Sequence, residues 1–114
     1  MKISELAGRL SCSVDIETLA LPRPDAEVTG GYVGDLLSWV MGRAEAGQVW
    51  ITIMTNINIL AVASLAGVSA IVVAEGCDID GDVIACATEQ GINLLRSPRS
   101  AFDVAAALAR ETGL

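Results

Sequence analysis

The chain has 114 residues, 53% of them hydrophobic and 4% aromatic, which predicts one compact domain over residues 1–114 and excludes a disordered chain. Seven scattered basic residues against 14 acidic ones give a formal net charge of −7, so we expect neither nucleic acid nor an anionic membrane surface as a partner. The absence of histidine removes the usual general base and the commonest metal ligand, so we expect no catalytic residues, no metal and no cofactor.

The first part of the chain predicts one helix followed by irregular or edge structure. Residues 3–10 place apolar side chains at helical spacing, and Ser4 is the expected capping residue. Residues 11–14 are interpreted as a short strand. Residues 15–25 contain two prolines, which favours irregular structure or the edge of a sheet.

A glycine pair follows a short extended piece over residues 27–29. Residues 32–44 then predict a helix with Asp35 in its first turn, where a negative charge suits the helix dipole. A glycine turn at the start of a helix exposes backbone N–H groups, so Gly30 and Gly31 form a candidate site for a phosphate or carboxylate. The alternative is that the two glycines only permit a tight turn into the helix. The apolar stripe of this helix consists of Leu36, Leu37, Val40, Met41 and Ala44.

Residues 47–74 carry no charge and must be considered as a membrane span. β-Branched and aromatic residues at positions 49–54 favour a strand, and the threonines and asparagines that follow would be costly in lipid. We therefore interpret the stretch as a buried strand over 48–54, a turn over 55–57, a helix over Asn58–Ala66 and a second strand over 69–74. Strands this apolar are typical of a parallel sheet covered on both faces.

The rest of the chain predicts a helix, a strand and a last helix. Asp78 or Asp80 caps a helix that ends at Gln90, and residues 92–95 form a short strand. Ser100 with Asp103 resembles a capping box for the last helix. Glycines at 67, 91 and 113 are expected to end the helices before them in the left-handed conformation. The predicted inner stripe of the last helix consists of Phe102, Ala105, Ala106 and Ala109.

The alternation of strand and helix from residue 48 onward predicts parallel strands joined by right-handed helical crossovers. The fold class is therefore α/β, a three-layer α/β/α sandwich with a mostly parallel sheet. In such sheets ligands bind outside the carboxyl ends of the strands.

A second candidate site lies at the end of the central strand. Thr52, Thr55, Asn56 and Asn58 supply neutral hydrogen-bond donors and acceptors there. The alternative is that Thr55 or Asn56 only caps the following helix. The predicted topology brings these residues and the glycine pair to a common rim.

Other chemistry-bearing residues favour structural interpretations. The acidic group Asp78, Asp80 and Asp82 lacks the ligand spacing of a calcium loop and is interpreted as solvated capping residues. The three cysteines, Cys12, Cys77 and Cys86, have no CxxC spacing and no activating base, which predicts reduced thiols in a cytoplasmic protein. Trp39 and Trp50 are expected in the core or at an interface.

From about residue 27 to the end, the chain resembles the DRTGG domain family. The resemblance lies in the segments GGYVGDLLSWVMGRA from Gly30 and TNINILAVASLAGV from Thr55, with Val28–Tyr32 at the name motif. Glu27 and Val28 replace the Asp and Arg of that motif, so no anion-binding role of the Arg carries over. Such domains resemble the N-terminal domain of HPr kinase/phosphorylase and occur in some phosphotransacetylases.

The resemblance implies a non-catalytic regulatory or ligand-sensing module that forms a homodimer. Its expected ligand is a small anionic metabolite or a nucleotide. The alternative is a structural or protein-interaction module that acts as a homodimer without a small-molecule ligand. The expected ligand-binding residues are Thr29, Gly30, Gly31, Tyr32, Thr52, Thr55, Asn56 and Asn58.

Overall fold

The structure is a computed structural model that describes residues 1–113. Its elements are, in chain order, α1 (Ile3–Ser13), β1 (Glu17–Ala20), β2 (Gly30–Val33), α2 (Leu37–Arg43), β3 (Gln48–Thr52), α3 (Asn58–Ala66), β4 (Ala70–Val73), α4 (Gly81–Gln90), β5 (Leu94–Arg96) and α5 (Ala101–Thr112). The strands form one five-stranded sheet in the order β1-β5-β4-β3-β2. All neighbours are parallel except β1 and β5, which confirms the α/β class with a mostly parallel sheet.

The sheet is covered on both faces, and each face has its own apolar cluster. On one face, α1 and α5 bury residues such as Leu6 and Val104 against Val72 of β4. On the other face, residues of α2, α3 and α4 surround Trp50 and Ile71. Because β3 and β4 lie in the middle of the sheet, nearly all of their side chains are buried, as their continuous apolar sequence predicts.

The uncharged midsection is the central part of this sheet. Within residues 1–113, no helix is both long and apolar enough to cross a membrane. Trp50 is fully buried in the core, whereas the Trp39 ring is 54% exposed on α2. The prediction of strand, helix and strand over residues 48–74 is confirmed.

Residues 30–36 differ most from the sequence-based expectation. The sequence predicts a helix from residue 32, but Gly30–Val33 is a strand that pairs in parallel with β3. The helix begins at Leu37 and is seven residues long, and only Val40 of its predicted apolar stripe is fully buried. A short segment with Tyr and Val gains ladder hydrogen bonds and packing from β3 that local periodicity does not report.

Two predictions for the first part of the chain are also wrong. Residues 11–13 continue α1, because Val14 N–H still donates to Leu10 O at 2.9 Å, so no strand forms there. The residue before this helix is Lys2, and the Ser4 side chain makes no capping hydrogen bond. The expectation of edge structure in residues 15–25 is confirmed, since β1 lies at one edge of the sheet.

The glycine C-caps and the N-cap of α5 follow the predicted capping chemistry, whereas the predicted side-chain cap of α4 does not form. Gly67, Gly91 and Gly113 all have positive φ at the C-caps of α3, α4 and α5. Ser100 Oγ accepts a hydrogen bond from Asp103 N at 3.0 Å, which confirms the cap of α5. Asp80 occupies the N-cap position of α4 without a side-chain capping bond.

The inner stripe of α5 was predicted on the wrong side of the helix. Val104, Ala107 and Leu108 are the buried residues of α5, whereas Phe102 is 78% exposed. Alanine occurs on both sides of this helix, so the sequence pattern does not define one apolar face. The shape of the sheet and of α1 selects Val104 and Leu108 for the core.

Candidate functional site

The glycine pair lies within strand β2 and not at the start of a helix. At Gly31, α5 approaches β2 closely: a Cβ on Gly31 would lie 2.5 Å from Leu108 Cδ2, so the end of the Leu108 side chain would have to shift. Gly30 has no such neighbour, since a Cβ there would meet only the Gln48 side chain at 3.9 Å. The prediction that Gly30 and Gly31 form a helix N-terminus is therefore wrong, because both lie in a strand paired with β3. Their expected contact with a ligand stays a prediction.

Thr29 and Tyr32, which flank the glycine pair, have structural contacts. Thr29 Oγ1 donates to Ala46 O at 3.0 Å, and its side chain covers Gly47, whose φ is 85°. Tyr32 points to the opposite face of the sheet from Gly31 and packs against the cluster around Trp50. Thr29 thus joins the amino ends of β2 and β3.

The carboxyl ends of β2 and β3 are joined by a set of hydrogen bonds that are partly buried or exposed. Asp35 Oδ1 accepts from Thr52 Oγ1 at 2.8 Å and from Ile53 N at 2.9 Å. Trp50 Nε1 donates to Gly34 O at 2.8 Å. Thr52 is 1% exposed and its hydroxyl also accepts from Met54 N. Its polar group is therefore used within the fold.

The other predicted residues of this corner divide into one that is used in a turn and two free side chains. Asn56 Oδ1 accepts from Asn58 N at 2.9 Å in the turn before α3, whose N-cap residue is Ile57 and has no side-chain capping bond. The half-buried Thr55 and the exposed Asn58 make no side-chain hydrogen bond within residues 1–113. Thr55 and Asn58 are thus the residues of this corner that remain available to a ligand.

The expected common rim does not form. Gly30 and Gly31 pair with Gln48 and Val49 at the amino end of β3, whereas Thr52 ends that strand. At about 3.3 Å per residue, the strand separates the two groups by about 10 Å or more along its axis. Thr29, Gly30 and Gly31 therefore lie near the amino ends of β2 and β3, and the four Thr and Asn residues lie at or after the carboxyl end of β3. Tyr32 lies between the two groups, opposite Trp50.

The structure shows a crevice that the sequence analysis missed, between the carboxyl ends of β4 and β5. The helix after β4 packs on one face of the sheet and the helix after β5 on the other, as their buried residues show. This divergence creates the kind of crevice in which open α/β sheets bind ligands. The β4/β5 crevice has a volume of about 290 Å³ and is lined by Asp15, Glu17, Gly76, Asp78, Arg96 and Pro98.

Charged groups of both signs line the β4/β5 crevice. Arg96 Nη2 lies 2.7 Å from Glu17 Oε2, and Arg96 Nη1 lies 3.6 Å from Asp78 Oδ1. Arg99 contacts Asp15 at 3.9 Å and Asp103 at 3.3 Å. Each arginine of this edge is therefore held between two carboxylates, so an incoming anion must compete with them.

Backbone strain also occurs at this crevice. Asp15 and Glu75 are the non-glycine residues with positive φ in residues 1–113, at 55° and 64°. Glu75 N donates to Arg99 O at 2.8 Å, and Gly76 N donates to Ser97 O at 3.0 Å, which ties the loops after β4 and β5 together. Non-glycine residues with positive φ are uncommon and are often found at functional sites.

Neither a metal-binding cluster nor the cysteines provide a further candidate site in residues 1–113. Among residues 1–113, no group of three or more His, Cys, Asp or Glu residues could hold a metal ion. Cys12 is exposed, and Cys77 and Cys86 are half-buried beside the cluster around Trp50.

No protein-family model matches the sequence, and no curated protein matches it significantly. Among solved structures, the chain is similar to the CBS and DRTGG domains of the regulatory region of Clostridium perfringens pyrophosphatase, complexed with the activator diadenosine tetraphosphate. The TM-score is 0.67 at 15% identity, and the match covers 93% of this chain and 48% of that chain. This chain therefore spans about half of that structure. The similarity supports a DRTGG-like fold.

Proposed function

We propose that this chain is a non-catalytic regulatory module of the DRTGG type, with one domain over residues 1–114, that senses a small anionic metabolite or a nucleotide. The similar structure is a regulatory region complexed with a nucleotide activator, which supports this class of function. The observation that carries the location of the site is the β4/β5 crevice, where the chain connections leave on opposite faces.

Arg96 is the group in this crevice that an anion would contact. Its side chain is 27% exposed and is held by Glu17 and Asp78. A phosphate or carboxylate of the ligand would replace one of these carboxylates at the guanidinium, which is well suited to bidentate contacts with such groups. Asp78 is the easier of the two to displace, because its side chain is fully exposed and its distance to Arg96 is longer.

The test is a thermal-shift and calorimetry panel of ATP, diadenosine tetraphosphate, acetyl phosphate and inorganic phosphate. We expect at least one compound to raise the melting temperature, Arg96→Gln to abolish the response, and Asp78→Asn to tighten binding by about two- to fivefold. Lys2→Gln is the control, because Lys2 pairs with Asp25 away from the crevice. A flat response of both the wild type and Asp78→Asn would contradict the proposal.

A second candidate is an interaction module that acts as a homodimer without a small ligand. It is favoured by exposed apolar side chains where β2 and β3 end: Val33, Leu36, Ile53 and Ile57 are each 45–59% exposed. Such a concentration of exposed apolar groups is typical of interaction surfaces. Light scattering over a range of protein concentrations tests this candidate, and a monomer throughout would contradict it.

A further inference from the structure

The pairing of β2 with β3 shows which backbone groups of β2 face outward. Gly34 N donates to Ile51 O at 3.1 Å, so Gly34 and the alternate residues before it in the strand turn their backbone groups toward β3. Thr29 lies before the strand and outside this alternation, because its N–H also bonds toward β3. The N–H and C=O groups of Gly31 and Val33 therefore point away from the sheet, of which β2 is the last strand. They have no hydrogen-bond partner on that side within residues 1–113.

The two edges of the sheet differ in their protection against a further strand. Natural edge strands are protected by charge, proline, bulges or a covering segment. At the β1 edge, Glu17 is charged and the pairing with β5 shifts register between Thr18 and Ala20. Gly30–Val33 has no charge and no proline, and it pairs with β3 without a register shift. The cover of the β2 edge ends at Val28, whose N–H bonds to the carbonyl of the first residue. The β2 edge is therefore the more open of the two.

An apolar groove of about 240 Å³ lies between the open edge and helix α5, and we call it the β2–α5 groove. Its lining includes Gly31, Val33, Ile51, Ala105, Leu108 and Ala109. Gly31 contributes no side chain, and Val33, two residues later on the same face of the strand, is 51% exposed. A residue of an added strand directly opposite Gly31 would place its side chain on this face, in the groove. The groove therefore favours a strand with apolar side chains at alternate positions.

Charge selects the kind of strand that can approach this edge. The formal net charge of −7 repels a second copy of the chain or any other acidic segment. Asp35 follows β2 and Glu45 precedes β3, so a carboxylate lies near each end of the open edge. Both residues are exposed and have no ion pair among residues 1–113. Of the nearby cations, Lys2 already pairs with a carboxylate and Arg43 stacks on an aromatic ring. A segment with basic residues at its two ends is therefore complementary to this edge.

We propose that the β2 edge binds an extended segment of a partner protein, flanked by lysine or arginine, which pairs with β2 as an antiparallel sixth strand. This inference goes beyond the regulatory function proposed above and does not depend on the β4/β5 crevice. The partner residues opposite Gly31 and Val33 each exchange two backbone hydrogen bonds with them. Apolar side chains of these two partner residues enter the β2–α5 groove, and the basic residues outside them lie near Asp35 and Glu45.

The first experiment measures binding of synthetic peptides to the full chain by calorimetry. The peptide KKVTVTVKK has apolar side chains at alternate positions and basic ends, and we expect it to bind with a dissociation constant in the micromolar range. The peptide EEVTVTVEE is the charge control and should bind at least about tenfold more weakly. In KKVTPTVKK the central proline removes an N–H that faces β2, whereas in KKVPVTVKK the proline removes one that faces away. The first proline peptide should therefore bind at least about tenfold more weakly than the second.

The second experiment locates the bound peptide on the protein. With saturating KKVTVTVKK, the amides of Gly31 and Val33 should exchange with solvent at least about tenfold more slowly than in the free chain. Ala109→Arg fills the exposed side of the groove and adds a cation, so it should weaken binding of this peptide by about tenfold or more. Ala61→Arg is the matched control, because it places the same side chain at an exposed alanine of α3, and it should bind as the wild type does. Arg96→Gln, in the β4/β5 crevice, should also bind normally.

Each outcome supports or overturns the proposal. If KKVTVTVKK does not bind at millimolar concentration, or binds without slowing the amides of Gly31 and Val33, the proposal is wrong. Equal binding of the two proline peptides overturns strand pairing, and equal binding of EEVTVTVEE overturns the basic partner. A free wild type that is dimeric, with these two amides already slow, shows that a second copy occupies the edge and also overturns the proposal. If Ala109→Arg unfolds, amide exchange of the wild type with and without peptide still decides.

Discussion

At the scale of single residues, the sequence correctly marks Gly31 as unusual but predicts the wrong reason for a glycine there. The sequence singles out the glycine pair, and a helix N-terminus is the ordinary reason for such a pair. The structure shows instead that Leu108 of α5 lies where a side chain at Gly31 would be, with a separation of 2.5 Å. Gly30 differs, because a Cβ there would make ordinary contacts at 3.9 Å.

Gly31→Ala is therefore expected to destabilise the protein by about 1–3 kcal/mol, because the added methyl displaces a buried leucine side chain. Gly30→Ala is the matched control and should change the free energy of unfolding by less than about 0.5 kcal/mol. Urea denaturation measures both values. Because the clash is with Leu108, the cost of Gly31→Ala should fall in a Leu108→Ala background. An equal cost in both backgrounds would show that the clash does not cause the loss.

At the scale of elements, the cap of α5 and the glycine C-caps followed from the sequence, whereas the predicted cap of α1 and some helix faces did not. Ser100 and Asp103 are three residues apart, and their capping bond forms within one turn, so local sequence is sufficient. The buried face of α5 depends on where α1 and the sheet lie, and alanines on both sides of the helix give no local signal. The result is that Phe102 and Ala109 face outward, against prediction.

Ser100→Ala is expected to cost about 1 kcal/mol of stability, because Asp103 N loses its hydrogen-bond acceptor at the start of α5. Ser4→Ala provides the comparison. Ser4 lies inside α1 and makes no capping bond, so this substitution should leave the stability of the protein unchanged or raise it slightly. Thermal unfolding followed by circular dichroism measures the two shifts. Equal losses in the two variants would contradict this assignment of the caps.

At the scale of the whole molecule, charge and topology have separate effects. Fourteen acidic residues exceed seven basic ones, and the ion pairs of residues 1–113 are mostly on exposed side chains, which contribute little each. Repulsion among the unpaired carboxylates therefore outweighs attraction. The topology of the sheet instead determines the position of the β4/β5 crevice, because the helices that follow β4 and β5 leave the sheet on opposite faces.

Raising the ionic strength from about 0.01 M to about 0.15 M shortens the screening length from about 30 Å to about 8 Å. The melting temperature should rise by about 2–6 °C at fixed protein concentration, because repulsion is screened more than the few close pairs are weakened. Glu89 is exposed and has no ion pair in the described part of the chain. The melting temperature of Glu89→Gln should therefore rise less with salt than that of the wild type. A melting temperature that falls with salt would mean that the ion pairs dominate.

The sequence by itself determined the α/β class, the buried strands β3 and β4, and the glycines that end the helices. These features depend on apolar runs and on interactions within a few residues, which a linear pattern records. Only the tertiary structure decided that residues 30–33 are an edge strand, that Phe102 faces outward, and that Arg96 lies in a crevice with Glu17 and Asp78. Those features arise from pairing and packing between segments far apart in the chain, so no local sequence pattern predicts them.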